Sequence, residues 1–270
     1  MADVHQFGIY TCPACKRLLH QEDSMLCCPT CSQSYPIIGD IPEFIFEELS
    51  QSTDPELRRM RFIDKMAGIY ETNLWYPIVM KVYGGLHSLS LPQLIGMVTE
   101  MVQPAKGRVL DIACGPGTFG RRVASPSKEV WGIDVSRGML RQGAVYTNME
   151  GISNVHFARA RVESLPFCDG SFDATICCGS LHLFTDTVVA LREMARVMKP
   201  GAILAVFTFT AGRGGILKYR WFRKLNHRYG LHAFTLPEVE HYLTASGFDN
   251  FHPKVAGSVL AFSAQRRTEE

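Results

Sequence analysis

Four cysteines stand in two pairs whose spacing can do chemistry: Cys12-Pro13-Ala14-Cys15 and, after twelve intervening residues, Cys28-Pro29-Thr30-Cys31. Each half reads as a tight turn in which proline sets one backbone angle and two sulfurs converge. Four thiolates at tetrahedral corners suit Zn²⁺, which has no d-electron preference for another geometry and forms closed sites with sulfur. A redox dithiol would stand singly at the start of a βαβ unit, so the expectation is a structural zinc ribbon held by Cys12, Cys15, Cys28 and Cys31. Cys27 adjoins Cys28, and the Cys-Pro-x-Cys pattern favours Cys28 as the ligand. Cys114, Cys168, Cys177 and Cys178 lie in or beside apolar runs and read as small buried hydrophobes.

A second constellation begins at Val109-Leu110-Asp111-Ile112-Ala113, an apolar run that enters the turn Cys114-Gly115-Pro116-Gly117-Thr118. Glycines there permit a sharp turn and close approach of backbone to a ligand. Another apolar run, Val130-Trp131-Gly132-Ile133, ends at Asp134, 23 residues after Asp111. A carboxylate so placed can accept from both ribose hydroxyls of an adenosine, and Met139 and Leu140 follow where apolar groups could flank the adenine. The turn lacks the G-x-G-x-x-G spacing that seats a pyrophosphate, so a cofactor with an amino-acid tail fits better than a dinucleotide.

The elements that must position these groups follow from periodicity. From about Lys106, short β-rich runs alternate with amphipathic stretches, the pattern of a doubly wound, Rossmann-like α/β sheet. Asp54 to Val102 reads as helices, with Asp54-Pro55 as a start and apolar faces over Leu74 to Tyr83 and Leu91 to Val102. Tyr35 to Phe44 reads as β-like chain folding back over the metal, in a module too small for a core of its own. The division expected is a zinc ribbon over 1–48, a helical linker and cap over 49–105, and a catalytic domain over 106–270. A hydrophobic share of 46% is enough for a packed core, and a net charge of +2 is too small to announce nucleic-acid or membrane binding. Without a leader-like start or a run of about 18 apolar residues, the expectation is a cytoplasmic protein with no transmembrane segment.

These motifs, with Glu163-Ser-Leu-Pro-Phe167, Gly170-Ser-Phe-Asp173, Ser180-Leu-His182 and Arg196-Val-Met-Lys-Pro-Gly201, resemble class I S-adenosylmethionine-dependent methyltransferases over roughly Lys106 to Arg266. The branch is the one similar to ubiquinone/menaquinone biosynthesis methyltransferases. The resemblance implies a seven-stranded sheet and S-adenosylmethionine as cofactor. It implies that the backbone of Ala113, Cys114, Gly115 and Gly117 approaches the methionine moiety and that Asp111 supports that loop. Asp134 would hold the ribose, beside Val135 and Met139, and Tyr70 would approach the cofactor carboxylate or simply pack. Ala160-Arg161-Val162-Glu163 stands where the family has Gly-Asp-Ala-Glu. Arg161 replaces the carboxylate that accepts from the adenine amino group, and a guanidinium offers donors only; adenine would then be read by the Val162 amide, with altered geometry. Cys178 closes the strand whose end faces the sulfonium, and His182 is the candidate for a catalytic or acceptor-orienting group, against a packing role.

Residues 211–234 form an insert with Arg213, Lys218, Arg220, Arg223, Lys224 and Arg228 and no Asp or Glu. It is a solvated basic face, a lid hinged at Gly212, Gly214 and Gly215 over an anionic or amphiphilic substrate, or a phosphate-backbone contact. The leading expectation is methylation of an oxygen or carbon of a small hydrophobic, quinone-like or natural-product-like metabolite. The rivals are a ribosomal RNA guanine methyltransferase, since a family of these also carries an N-terminal Cys₄ ribbon, and a cofactor-binding scaffold whose ribbon docks a protein partner.

Overall fold

The N-terminal strands are short, as expected of a segment without a core of its own, and the structure shows what they lean on. A computed structural model describes residues 8–47, 64, 75–85, 89–103, 105–211, 216, 219, 221 and 232–268. β1 (His20–Glu22), β2 (Met25–Cys27), β3 (Ser34–Ile38) and β4 (Ile41–Pro42) run antiparallel in that order.

This small sheet is welded to the large one. Tyr10 bridges antiparallel to Phe167 and Glu43 bridges parallel to Arg159; Thr11 N donates to Pro166 O at 2.9 Å and Phe44 N to Arg159 O at 2.8 Å. Tyr10 stacks on Phe167 at 5.2 Å, and Phe167 meets Phe172 edge-on at 5.0 Å. Ile9, Leu19, Leu26, Tyr35 and Phe44 therefore share one hydrophobic core with Leu110, Trp131 and Phe172. Residue 48 is a boundary in sequence; in packing, the ribbon and the sheet are continuous.

The large sheet is built from β5 (Gly107–Ile112), β6 (Lys128–Asp134), β7 (Val155–Arg159), β8 (Phe172–Cys178), β9 (Met198–Phe209), β10 (Phe248–Ala256) and β11 (Val259–Arg266), in the order β10-β11-β9-β8-β5-β6-β7. β7, β6, β5, β8 and β9 are parallel neighbours, and β11 and β10 close one edge antiparallel. Near-continuous apolar runs suit parallel strands covered on both faces: Val109 to Ile112 and Ala174 to Cys178 are buried throughout. Chain order runs one way from β5 through β6 to β7 and the other way from β8, so the switch point lies between β5 and β8. Ligands of open α/β sheets bind beyond the strand ends at such a point.

Helices start where side chains can satisfy free amides. Ser136 Oγ accepts from Met139 N at 3.0 Å to open Arg137–Met149, and Asp186 accepts from Val188 N and Val189 N to open Thr187–Val197. Thr235 with Glu238 makes a capping box for Leu236–Ala245, and Ser90 with Gln93 makes another for Leu91–Met101. The linker helices expected near Leu74 to Tyr83 and Leu91 to Val102 are seen as Trp75–Val79, a π-helical turn Met80–Gly84, and Leu91–Met101. Asp54-Pro55 lies outside the described residues. No helix among the described residues is long and apolar enough to cross a membrane.

Candidate functional site

Three strand ends meet at the switch point. Asp134, closing β6, accepts from Gly115 N at 2.9 Å through Oδ2 and from Ser136 N at 2.8 Å through Oδ1, so it ties the glycine turn to the start of the next helix. Asp111 is turned inward, and its Oδ2 accepts from Gly120 N at 3.0 Å. A β-carbon on Gly120 would lie 2.8 Å from that oxygen, so only glycine admits the brace. Burial pushes Asp111 up to about 8, against the pull of the Gly120 amide and with help from the Asp134 charge. Burial also raises Asp134, opposed by the Ser136 and Gly115 amides and reinforced by Asp64.

The turn needs left-handed backbone at Ala113 (φ 50), Gly115 (φ 55) and Gly117 (φ 74). For alanine that conformation costs about 1–2 kcal/mol, and the strained Ala113 carbonyl accepts from Ser180 Oγ at 3.3 Å. The structure thus joins the ends of β5 and β8 at the turn that follows Ile112.

Several expected contacts change character. Cys114 and Leu140 are buried with Phe157 and Ile41, and Cys178 is buried in the cluster with Phe207; these side chains belong to the core, and what they present at the strand ends is backbone. Met139 is likewise buried, in the first turn of its helix. Val135 O accepts from Arg159 Nε at 2.9 Å. Arg161 precedes a short 3-10 turn, Val162–Ser164, with Val162 buried and Glu163 half-buried. Ala160 N donates to Asp134 O at 3.2 Å, which sets this turn beside the end of β6. Tyr70 and Gly212, Gly214 and Gly215 lie outside the described residues, as do Arg213, Lys218, Arg220, Arg223, Lys224 and Arg228.

His182 sits just beyond β8. Its Nδ1 is 3.3 Å from Thr208 Oγ1, and its ring meets Phe209 edge-on at 5.1 Å. Burial holds it down at about 4, so the imidazole is neutral at pH 7 and a weak base there. Tyr83 packs on Phe209 at 5.5 Å, and Phe207 lies between Phe209 and Phe119. His232 N donates to His182 O at 2.9 Å. Sequence motifs flagged none of Tyr83, Thr208, Phe209 and His232, because they converge from separate elements. Asp64 was missed for the same reason: its Oδ1 accepts from Ser136 Oγ at 2.6 Å and from Gly138 N at 2.9 Å, placing a second carboxylate at the helix start beside Asp134.

At the other end of the chain, the sulfurs of Cys12, Cys15, Cys28 and Cys31 all lie within 4.8 Å of one another. Cys12 to Cys31 and Cys15 to Cys28 are 3.5 Å apart, and Cys15 to Cys31 is 3.7 Å. A tetrahedral site with Zn–S bonds of about 2.3 Å has edges of about 3.8 Å, so the donor set fits that ion. Lys16 (φ 58) and Ser32 (φ 56), each just after the second cysteine of its pair, are left-handed, which turns backbone amides toward the sulfurs. The amides of Cys31 and Thr30 bring Cys28 down to about 6, while Cys28 in turn helps push Cys31 up to about 12. Cys27 stands apart, accepting from Ser34 Oγ at 3.5 Å.

With this geometry in view, the comparisons are specific. Residues 109–201 match the family model described as "Methyltransferase domain". This part of the chain is similar to methyltransferase domains. It is 41% identical over 107 residues to the ubiquinone/menaquinone biosynthesis C-methyltransferase UbiE of Pasteurella multocida, covering 38% of this chain and 40% of that one. With UbiE of Ectopseudomonas mendocina it shares 40% over 131 residues, 47% of this chain and 50% of that one. The matched part thus spans half or less of these curated relatives. In fold, it resembles YcgJ of Bacillus subtilis with TM-score 0.56 at 21% identity, covering 65% of this chain and 99% of that one. Phosphoethanolamine N-methyltransferase 2 of Haemonchus contortus, solved with S-adenosyl-L-methionine, gives TM-score 0.64 at 16% identity, covering 81% and 61%.

Proposed function

We propose that this protein transfers a methyl group from S-adenosylmethionine to an oxygen or carbon of a small hydrophobic acceptor, quinone-like or natural-product-like. The observation that carries the reading is the pairing, at the switch point, of a left-handed glycine turn with the carboxylate of Asp134, beside a wall of Phe207, Phe209, Tyr83 and His182. The first pair suits an adenosyl group with an amino-acid tail. The wall suits a flat apolar acceptor.

When bound, the cofactor supplies an electrophilic methyl on a sulfonium, whose sulfur takes the bonding electron pair as the methyl leaves. The chain's own work is positioning, which provides most of the rate when the acceptor is already nucleophilic. Asp134 would hold the ribose, the Val162 amide would read the adenine, and the backbone of 113–117 would receive the methionine end. Thr208 engages His182 Nδ1, leaving Nε2 to orient an acceptor hydroxyl. With its pKa near 4, His182 serves as a hydrogen-bond acceptor and leaves proton removal to solvent. The four thiolates would hold Zn²⁺ as a closed structural site.

Calorimetry tests the reading directly: the pure chain should bind S-adenosylmethionine and its demethylated product, and should pass labelled methyl to a catechol or hydroquinone acceptor. Failure to bind either cofactor form at millimolar supply defeats it. The cations of 211–234 favour RNA as a second reading, and a steep loss of RNA affinity with salt would support it. The ribbon adds little to that case. It docks at β7, four strands from β9 and so about 19 Å from the acceptor wall at the usual strand spacing.

A further inference from the structure

Two contacts outside the reacting centre run from the ribbon to the adenosine side of the crevice. The first starts at the knuckle Cys12–Lys16. Ser164 Oγ donates to Pro13 O at 3.1 Å, and Lys16 Nζ reaches Glu193 Oε2 at 3.0 Å, Leu165 O at 3.3 Å and Ser164 Oγ at 3.4 Å. Glu193 Oε2 also accepts from Leu165 N at 2.8 Å. The turn Val162–Ser164 is therefore gripped from behind by the loop that carries two of the four sulfurs.

The second contact is Arg159, which is fully buried. Its guanidinium donates to Ile45 O at 2.8 Å, Glu47 O at 2.9 Å and Glu43 Oε2 at 3.2 Å, while Nε donates to Val135 O. Arg137, in the helix after Asp134, holds both oxygens of Glu43 at 2.8 and 3.0 Å. The ribbon thus touches both loops assigned to the adenosine, one on each side.

We propose that the ribbon is a positioning wall of the cofactor site, and that filling of the four-thiol site raises affinity for the adenosyl group by ordering the Val162–Ser164 turn. The inference rests on the methyltransferase reading and goes beyond it. Its physical basis is the knuckle itself: Lys16 is held left-handed, its backbone N–H donating a hydrogen bond to Cys12 O at 2.8 Å, a conformation that costs a non-glycine residue free energy. A bound ion offsets that cost by joining Cys12 to Cys15. Without it, nothing joins the four sulfurs that stand 3.5 to 3.7 Å apart, the knuckle relaxes, and the Lys16 and Pro13 contacts to 164–165 loosen.

The test uses the full chain, zinc-loaded or stripped with a chelator, titrated with S-adenosylhomocysteine. Stripping should weaken binding about 5-fold or more, and by linkage saturating S-adenosylhomocysteine should tighten Zn²⁺ by the same factor in competition with a chelating dye. Lys16→Met should keep full zinc content and weaken S-adenosylhomocysteine roughly 3-fold, with Lys16→Arg restoring it; this pair decides the matter even where stripped protein unfolds. Affinity within twofold in all these comparisons overturns the proposal. Should the loaded chain ignore S-adenosylhomocysteine altogether, the methyltransferase reading falls. Amide exchange over 162–165 with and without zinc then decides the coupling, faster exchange on stripping supporting it and unchanged exchange overturning it.

Discussion

Asp134 spends its two oxygens on the amides of Gly115 and Ser136, and a ribose would have to share them. Asp134→Ala should weaken S-adenosylhomocysteine by about 1–3 kcal/mol in calorimetry, and unchanged affinity would mean the crevice is misplaced. Ala113 is strained at φ 50. Ala113→Gly should add up to about 1 kcal/mol of stability, seen as a higher urea midpoint, relief of the strain outweighing the added chain entropy. His182 carries a pH signature. Its folded value, about 4, lies below the unfolded value of 6.5, so the unfolded chain binds the proton first as pH falls. Stability attributable to the neutral ring is full above about 6.5 and is lost as pH falls toward 4. His182→Gln should flatten that part of the stability curve, and an unaltered curve would show that the ring is not held neutral.

At the level of elements, the glycine turn depends on what stands behind it. Gly117 has φ 74, and an added β-carbon would meet Phe157 at 3.1 Å. Gly117→Ala should therefore cost about 1–2 kcal/mol in stability and disturb cofactor binding more than a surface substitution does. The turn's existence was legible from Cys114-Gly115-Pro116-Gly117, because left-handed backbone selects glycine locally. The start of Leu236–Ala245 is encoded just as locally, since Thr235-Leu236-Pro237-Glu238 is a capping signal complete within four residues. Asp64 was not legible. Nothing near it in sequence announces that its carboxylate meets Ser136 and Gly138, 72 and 74 residues away.

Across the molecule, Arg159 joins ribbon, sheet and the loop at Val135 through one buried guanidinium. Arg159→Met removes the donor to three carbonyls and one partner of a buried carboxylate. Urea denaturation should register a loss of about 3–5 kcal/mol; a loss below about 1 kcal/mol would mean the ribbon is only loosely seated.

The sequence by itself determined what is local: the four sulfurs and their two turns, the glycine loop and its carboxylates, and the strand alternation, each set by residue types within a few positions. Only the tertiary structure decided that the ribbon shares the core of the large sheet, that Cys114 and Leu140 face inward, and that Tyr83 and His182 both pack on Phe209. Those outcomes depend on which apolar surfaces meet across long stretches of chain, and burial is non-directional, so no short motif encodes the partner.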